Sequence, residues 1–289
     1  MRWLAMLVVL AACDGDLPRK RPKVELTPGE AIAPSVQGTA QEPPPPVTIS
    51  GLVASGQYWR LATQHGPVHV WIPKGYDRRR AETIVYVHGY YIHVDGAWKD
   101  YELPKKFAAA GINAVFIACE GPASPQESVS WPALAPLLDD VERGIAQKLP
   151  RRRVVAFGHS AAYRTLLGWL DEPLLDTVVL LDAAYGEIEQ YKAWVLADEH
   201  HRLIDIGDDT RAWTDKLHAD LPDSLVIDGF PSVEDGIPRE ASKARVVYIK
   251  SNLGHFPLVT NDTAIPMILR TLRARRIMRE PLAEILATP

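Results

Sequence analysis

Cysteine is scarce in this 289-residue chain: there are two, Cys13 and Cys119. Excess charge is scarce as well, with 32 basic residues against 36 acidic ones and a formal net charge of −4. A nucleic-acid binder is usually basic, so that balance argues for no nucleic-acid partner. Two short basic runs, Arg78-Arg79-Arg80 and Arg151-Arg152-Arg153, precede strand-like segments and read as solvated loop ends rather than phosphate sites. No Gly-x-Gly-x-x-Gly and no P-loop follows any strand, so no nucleotide cofactor is expected. His65, His69 and His93 are scattered, and the adjacent His200 and His201 face different ways, so no spacing suggests zinc and no metal is expected. There is no internal repeat. The apolar run from Trp3 to Ala12 is too short to cross a bilayer, which takes roughly 20 residues.

What is present is ordinary for a soluble globular protein: 47% apolar and 24% charged residues, at a length near the limit for one hydrophobic core. The N-terminus reads MRWLAMLVVLAACDGD. One Arg, a short apolar run and small residues at its end fit a signal peptide. The box Leu10-Ala11-Ala12-Cys13 resembles a bacterial lipoprotein signal. That resemblance implies removal of residues 1–12, a lipid on Cys13 as the new N-terminus, and an extracytoplasmic, membrane-anchored protein of the periplasm or cell surface. Cys119 would then have no partner for an internal disulfide. It ends the apolar segment INAVFIAC and reads as a buried small hydrophobe. Residues 13–47, with Pro43-Pro44-Pro45-Pro46 and little hydrophobic periodicity, read as a Pro-rich tether.

From residue 48 to 289 the pattern is that of one domain. YWRLATQ and PVHVWIP, with Gly66 between them, read as a hairpin. TIVYVHG is a near-continuous apolar run, as for a strand buried on both faces. ELPKKFAAAG is helical and closed by Gly111; INAVFIA is a strand and WPALAPLLDDVERGIAQKL an amphipathic helix. The alternation continues as VVAFG, AAYRTLLGWL, TVVLLD, EIEQYKAWVLADE, HRLIDIG, TRAWTDKLHADL and ARVVYIK. AIPMILRTLRARRIM reads as a closing amphipathic helix. Strands alternating with helices imply βαβ crossovers and a mainly parallel sheet, whose ligands bind beyond the carboxyl ends of the strands.

Between VVAF and a helical run stands Gly158-His159-Ser160-Ala161-Ala162. This is Gly-x-Ser-x-Gly with Ala at the last position. The motif places a serine on a strained strand-to-helix turn, where only small neighbours fit. His88-Gly89 follows a buried strand two elements upstream, and Leu253-Gly254-His255-Phe256 follows the last strand. By these motifs and their order, residues 57 to 289 resemble the α/β-hydrolase family.

The resemblance implies the α/β-hydrolase fold, a mainly parallel central sheet with helices on both faces. It implies Ser160 as nucleophile, His255 as its base, and the backbone N–H groups of Tyr90 and Ala161 as the oxyanion hole. His88 reads as a structural hydrogen-bonder. The acid is open between two strand ends: Asp182 in VVLLDAAYG, and Asp208 or Asp209 in LIDIGDDT. The later position is the commoner one in the family. Asp182 is preferred because it ends a very apolar run and needs a partner, whereas Asp208-Asp209-Thr210 also reads as an ordinary helix N-cap. Asp208 is the alternative acid, and Asp205, within its strand, a third choice.

The implied activity is hydrolysis of a small-molecule ester, or amide, through an acyl-enzyme, with no cofactor and with membrane contact through the N-terminal lipid. A peptidase or amidase on the same fold, or a catalytically inactive binding lipoprotein, are the alternatives. The aromatic stretch Tyr90 to Trp98 is a candidate wall of the pocket. The segment Leu221 to Lys243, rich in Pro, Asp and Gly, is long enough to border its mouth.

Overall fold

The computed structural model describes residues 48–150 and 153–288. The expected signal peptide, Cys13 and the Pro-rich tether lie outside these residues.

A short helix α1 (Ile49–Ser55) leads into the hairpin β1 (Gln57–Thr63) and β2 (Gly66–Ile72). Then follow β3 (Glu82–Val87), α2 (Val94–Asp100), α3 (Leu103–Ala110), β4 (Ala114–Cys119), α4 (Leu134–Ile145) and β5 (Val154–His159). The second half runs α5 (Tyr163–Leu167), β6 (Leu175–Leu181), α6 (Ile188–Ala197), β7 (Arg202–Gly207), α7 (Arg211–Ala219), β8 (Leu225–Asp228) and β9 (Val246–Lys250). It closes with α8 (Pro257–Thr260), α9 (Ala264–Leu269) and α10 (Leu282–Leu286).

One nine-stranded sheet takes the order β1-β2-β4-β3-β5-β6-β7-β9-β8. β1 pairs antiparallel with β2, and β2 antiparallel with β4; every other pair is parallel. The central strands β3, β4 and β5 are buried at every residue, which is why they read as unbroken apolar runs. Alternate residues still separate into two cores. Ile84 and Tyr86 face one with α1–α3 and α8–α10, while Val85 and Val87 face the other with α4–α7. This is the α/β-hydrolase fold, helices on both faces of a mainly parallel sheet. The crossover helices send the chain back, so the loops after β5, β6 and β9 meet at one edge.

Three expectations need correction. The C-terminal stretch is not one amphipathic helix. α9 covers only Ala264–Leu269, with all six residues buried, and Arg276 instead bridges to Ile112. Segment 221–243 holds an edge strand, β8, paired with β9. Its four residues alternate half-buried and exposed, too short a pattern to stand out among Pro and Gly. Val94–Asp100 is a helix, with Trp98 turned into the core and stacked on His69, not a pocket wall.

Glu82 opens β3 with only 8% of its surface exposed. Burial, then the charge of Asp176, raises its pKa to about 7 against the pull of Arg153, Arg202 and Arg273. A carboxyl raised above its unfolded value near 4.3 leaves stability intact below that value and erodes it as pH climbs through 7. Glu82→Gln should therefore match the wild type near pH 4 and exceed it at pH 8, by on the order of 3 kcal/mol. Denaturant unfolding at the two pH values checks this; a gap independent of pH refutes it.

Candidate active site

The turn after β5 is tight because side chains are absent where it needs space. Ser160 has φ +55°, in the left-handed region, and opens a single 3-10 turn, Ser160–Ala162, that runs into α5. Such a conformation costs a non-glycine residue of order 1–3 kcal/mol and persists only where packing enforces it. The enforcement is visible. A Cβ on Gly158 would strike the buried Leu166 of α5, and one on Gly89 would lie 2.6 Å from Ser160 Cβ and 3.0 Å from the His159 carbonyl oxygen. Ala162, where the motif has Gly, is fully buried and fits.

Asp182 follows β6, fully buried and also at positive φ (+48°). His255 follows β9, and its Nδ1–H donates to Asp182 Oδ2 at 2.6 Å. Asp182 Oδ1 accepts the N–H groups of Asp208 and Thr210, each at 2.9 Å, and the Thr210 hydroxyl at 2.7 Å; Oδ2 also accepts the Asp209 N–H at 3.1 Å. Burial by itself would raise this carboxyl. The His255, Asp208 and Thr210 donors outweigh it and hold the group well below the usual carboxylate range.

Asp208 is placed otherwise. Its Oδ2 accepts the Gly254 N–H at 2.7 Å, so it ties down the loop that carries His255 and does not reach the imidazole. The expected N-cap role for this stretch does not hold, since Thr210 makes no side-chain cap to α7 and the turn's N–H groups go to Asp182. Asp205 is buried beside His218, 3.3 Å away.

Ser160 and His255 line one cleft of about 370 Å³, with Tyr90, Tyr91, His159, Ala161, Tyr163, Tyr185 and Phe256. No residue of 221–243 lines it. Among the described residues, the His255 ring is held by Asp182, and the Tyr185 hydroxyl approaches the same Nδ1 at 3.5 Å. No hydrogen bond joins it to Ser160; in unliganded enzymes that bond is commonly long and tightens with substrate. Tyr90 and Ala161, expected as oxyanion donors, both reach the cleft. The Tyr91 N–H is committed to the Ala123 carbonyl at 2.8 Å, whereas the Tyr90 N–H makes no hydrogen bond among the described residues. Ala161 is the second residue of its turn, where N–H groups lack an intrahelical acceptor.

His88 lies outside the cleft. Its ring contacts the Gly89 carbonyl and Glu120 and accepts the Gly121 N–H, a loop-fixing role as expected.

Four cleft residues escaped the sequence reading: His159, Tyr163, Tyr185 and Phe256. His159 packs its ring 4.6 Å from that of His255 and donates Nε2–H to the His255 carbonyl at 3.1 Å. Burial, then the charge of His255, lowers its pKa to about 3, so it stays neutral beside its neighbour. Tyr185 lies three residues past Asp182; burial, then the charges of Asp182 and Asp209, push its phenol up to about 12, against a contact with Ser160. Phe256 adjoins His255 with half its surface exposed. Adjacency to a triad candidate was the one signal these positions offered.

Ligand atoms of Asp182, Asp209 and His255 lie within 4.8 Å of one another. As a cation site the group is poor: both Asp182 oxygens are filled by N–H and O–H donors, which suits a carboxylate that orients an imidazole.

No family model and no curated protein matches the chain. Solved structures with a related fold include a feruloyl esterase module from Clostridium thermocellum, at 11% identity and TM-score 0.47, covering 78% of this chain and 92% of that one. A dienelactone hydrolase from Anabaena variabilis gives 11% identity and TM-score 0.43, over 75% and 94%. An S-formylglutathione hydrolase from Agrobacterium tumefaciens gives 14% and 0.39, over 75% and 92%. None reaches a TM-score of 0.5, and the chemistry has to be read from the side chains.

Gly89→Ala would press a methyl into the serine turn from across the cleft floor. It should destabilise the protein by about 1–3 kcal/mol. Urea unfolding measures this, and a variant as stable as the wild type contradicts the close approach.

Proposed function

We propose that the chain is a serine hydrolase of the carboxylesterase or lipase kind, cleaving an ester by a Ser160–His255–Asp182 triad through an acyl-enzyme. One observation carries the reading: a buried, ionised carboxylate holds the imidazole of a cleft that also contains a serine on a strained turn.

A hydroxyl of ordinary pKa is a weak nucleophile, so a base must take its proton as it attacks. With Nδ1–H bound to Asp182, His255 offers Nε2 for that proton. Oγ of Ser160 adds to the ester carbonyl, and the oxyanion that forms is stabilised by the N–H groups of Tyr90 and Ala161, each such donor being worth about 2.7–4 kcal/mol. Collapse expels the alcohol, which takes the proton from His255 and leaves the acyl group on Ser160. Water, deprotonated by His255, repeats the attack and frees the acid. Asp182 stays ionised throughout and stabilises the imidazolium. Asp208 serves at one remove, fixing the loop of His255.

The cleft lining carries five aromatic side chains and no Lys, Arg, Asp or Glu. That supports an uncharged ester with an apolar or aromatic acyl group. The Leu10–Cys13 box supports a lipid at Cys13 that tethers the enzyme to a bacterial membrane, outside the cytoplasm.

A fluorophosphonate probe should label the wild type and not Ser160→Ala; folded wild type that stays unlabelled overturns the proposal in favour of a binding protein. On p-nitrophenyl esters from acetyl to cinnamoyl, Asp182→Asn should lose about 10⁴ in kcat and Asp208→Asn much less. Faster turnover of peptide amides than of esters would make the protein a peptidase. Separately, Cys13→Ser should move the protein out of the membrane fraction; a variant that remains there refutes the lipid anchor.

A further inference from the structure

One arginine from each basic run of the sequence, Arg80 and Arg153, comes to the same place in the fold. Arg80 stands just before β3 and Arg153 just before β5, and the segment after α9 brings Arg273 and Arg275 beside them. Together with Ala81 and Glu82 they line a cavity of about 270 Å³. This lies at the amino ends of the parallel strands, whereas Ser160 follows the carboxyl end of β5. Six residues of strand, roughly 20 Å, separate the two.

The charges at this edge are poorly balanced. Arg153 approaches Asp176 at 3.5 Å. Arg80, Arg273 and Arg275 have no ion-pair partner among the described residues. Behind them Arg202 is 99% buried, and its guanidinium donates to the carbonyls of Ala244, Thr271 and Ala241, none of them charged. The carboxyl that lines the cavity, Glu82, is raised to about 7 and so cancels only part of one charge at neutral pH. Four arginines lining one space, with a fifth buried nearby that has no ion pair among the described residues, form a field that a compact dianion would relieve. Planar forks of N–H donors match tetrahedral oxyanions two bonds at a time.

We propose that Arg80, Arg153, Arg273 and Arg275 form a binding site for a phosphate group, remote from the hydrolytic cleft. It is independent of the ester-cleaving reading. The phosphate is that of a soluble phosphate ester or of an anionic lipid headgroup; both present the same oxygens.

Calorimetric titration of the full chain with inorganic phosphate, at ionic strength fixed with chloride, tests the site. One saturable site is expected. Arg273→Gln/Arg275→Gln and, separately, Arg80→Gln should each weaken it by at least about tenfold with p-nitrophenyl acetate turnover unchanged. Absence of saturable binding, or equal binding by both variants, overturns the proposal. If phosphate binds, displacement by phosphatidylcholine vesicles containing phosphatidylglycerol, and not by pure phosphatidylcholine, assigns the site to a lipid headgroup. No displacement by either assigns it to a soluble ester.

Discussion

The Asp182 carboxylate sits where three parts of the chain meet: the end of β6, the turn entering α7 and the loop after β9. A buried carboxylate left alone would cost several kcal/mol and would take up a proton instead. Here three backbone N–H groups, one hydroxyl and one imidazole N–H converge on it. The donors do two things at once. They keep the group ionised, and they fix where it can point. His255 is thus oriented by a charge that is itself held by backbone, and Asp208 secures the same loop from a second side through Gly254.

Three strained backbone positions lie around this junction. Ser160, Asp182 and Tyr91 all have φ in the left-handed region, and each lies at or beside the cleft. The cost, of order 1–3 kcal/mol apiece, is sustained by the rigid sheet behind them. The same crowding explains the residues around the serine. Gly89 and Gly158 leave no room for a methyl, whereas Ala162 does, so the Ala in place of the motif's second Gly does not disturb the turn.

The sheet was legible because central strands buried on both faces are short apolar runs bounded by Gly and Pro, and their alternation with helices dictates parallel pairing. The hairpin of β1 and β2 was legible from two strand-like segments with Gly66 between them. What failed were segments whose pattern is weak or overridden. AIPMILRTLRARRIM has helical periodicity, yet the chain leaves the helix after Leu269 to place arginines at the sheet edge. β8 is four residues long and gains its order from β9. At the site, motif order brought Ser160 and His255 into view. The choice between Asp182 and Asp208 turned on burial, which an apolar run before the residue can signal. The roles of His159 and Tyr185 depend on ring packing between distant segments, for which sequence has no local sign.

The distribution of charge follows from the same topology. In a parallel sheet every strand begins at one edge and ends at the other, so residues before the strands and residues after them are sorted to opposite ends of the molecule. Here the sorting puts a cleft lining free of Lys, Arg, Asp and Glu at one end and arginines at the other, although the chain as a whole carries a net charge of −4. A lining without Lys, Arg, Asp or Glu exerts little long-range electrostatic pull, so binding there would rest on apolar contact. An arginine edge acts at a Debye length of roughly 8–10 Å and weakens with salt. One fold therefore presents two surfaces that answer to different physics: the cleft to the hydrophobicity of what enters, the far edge to ionic strength.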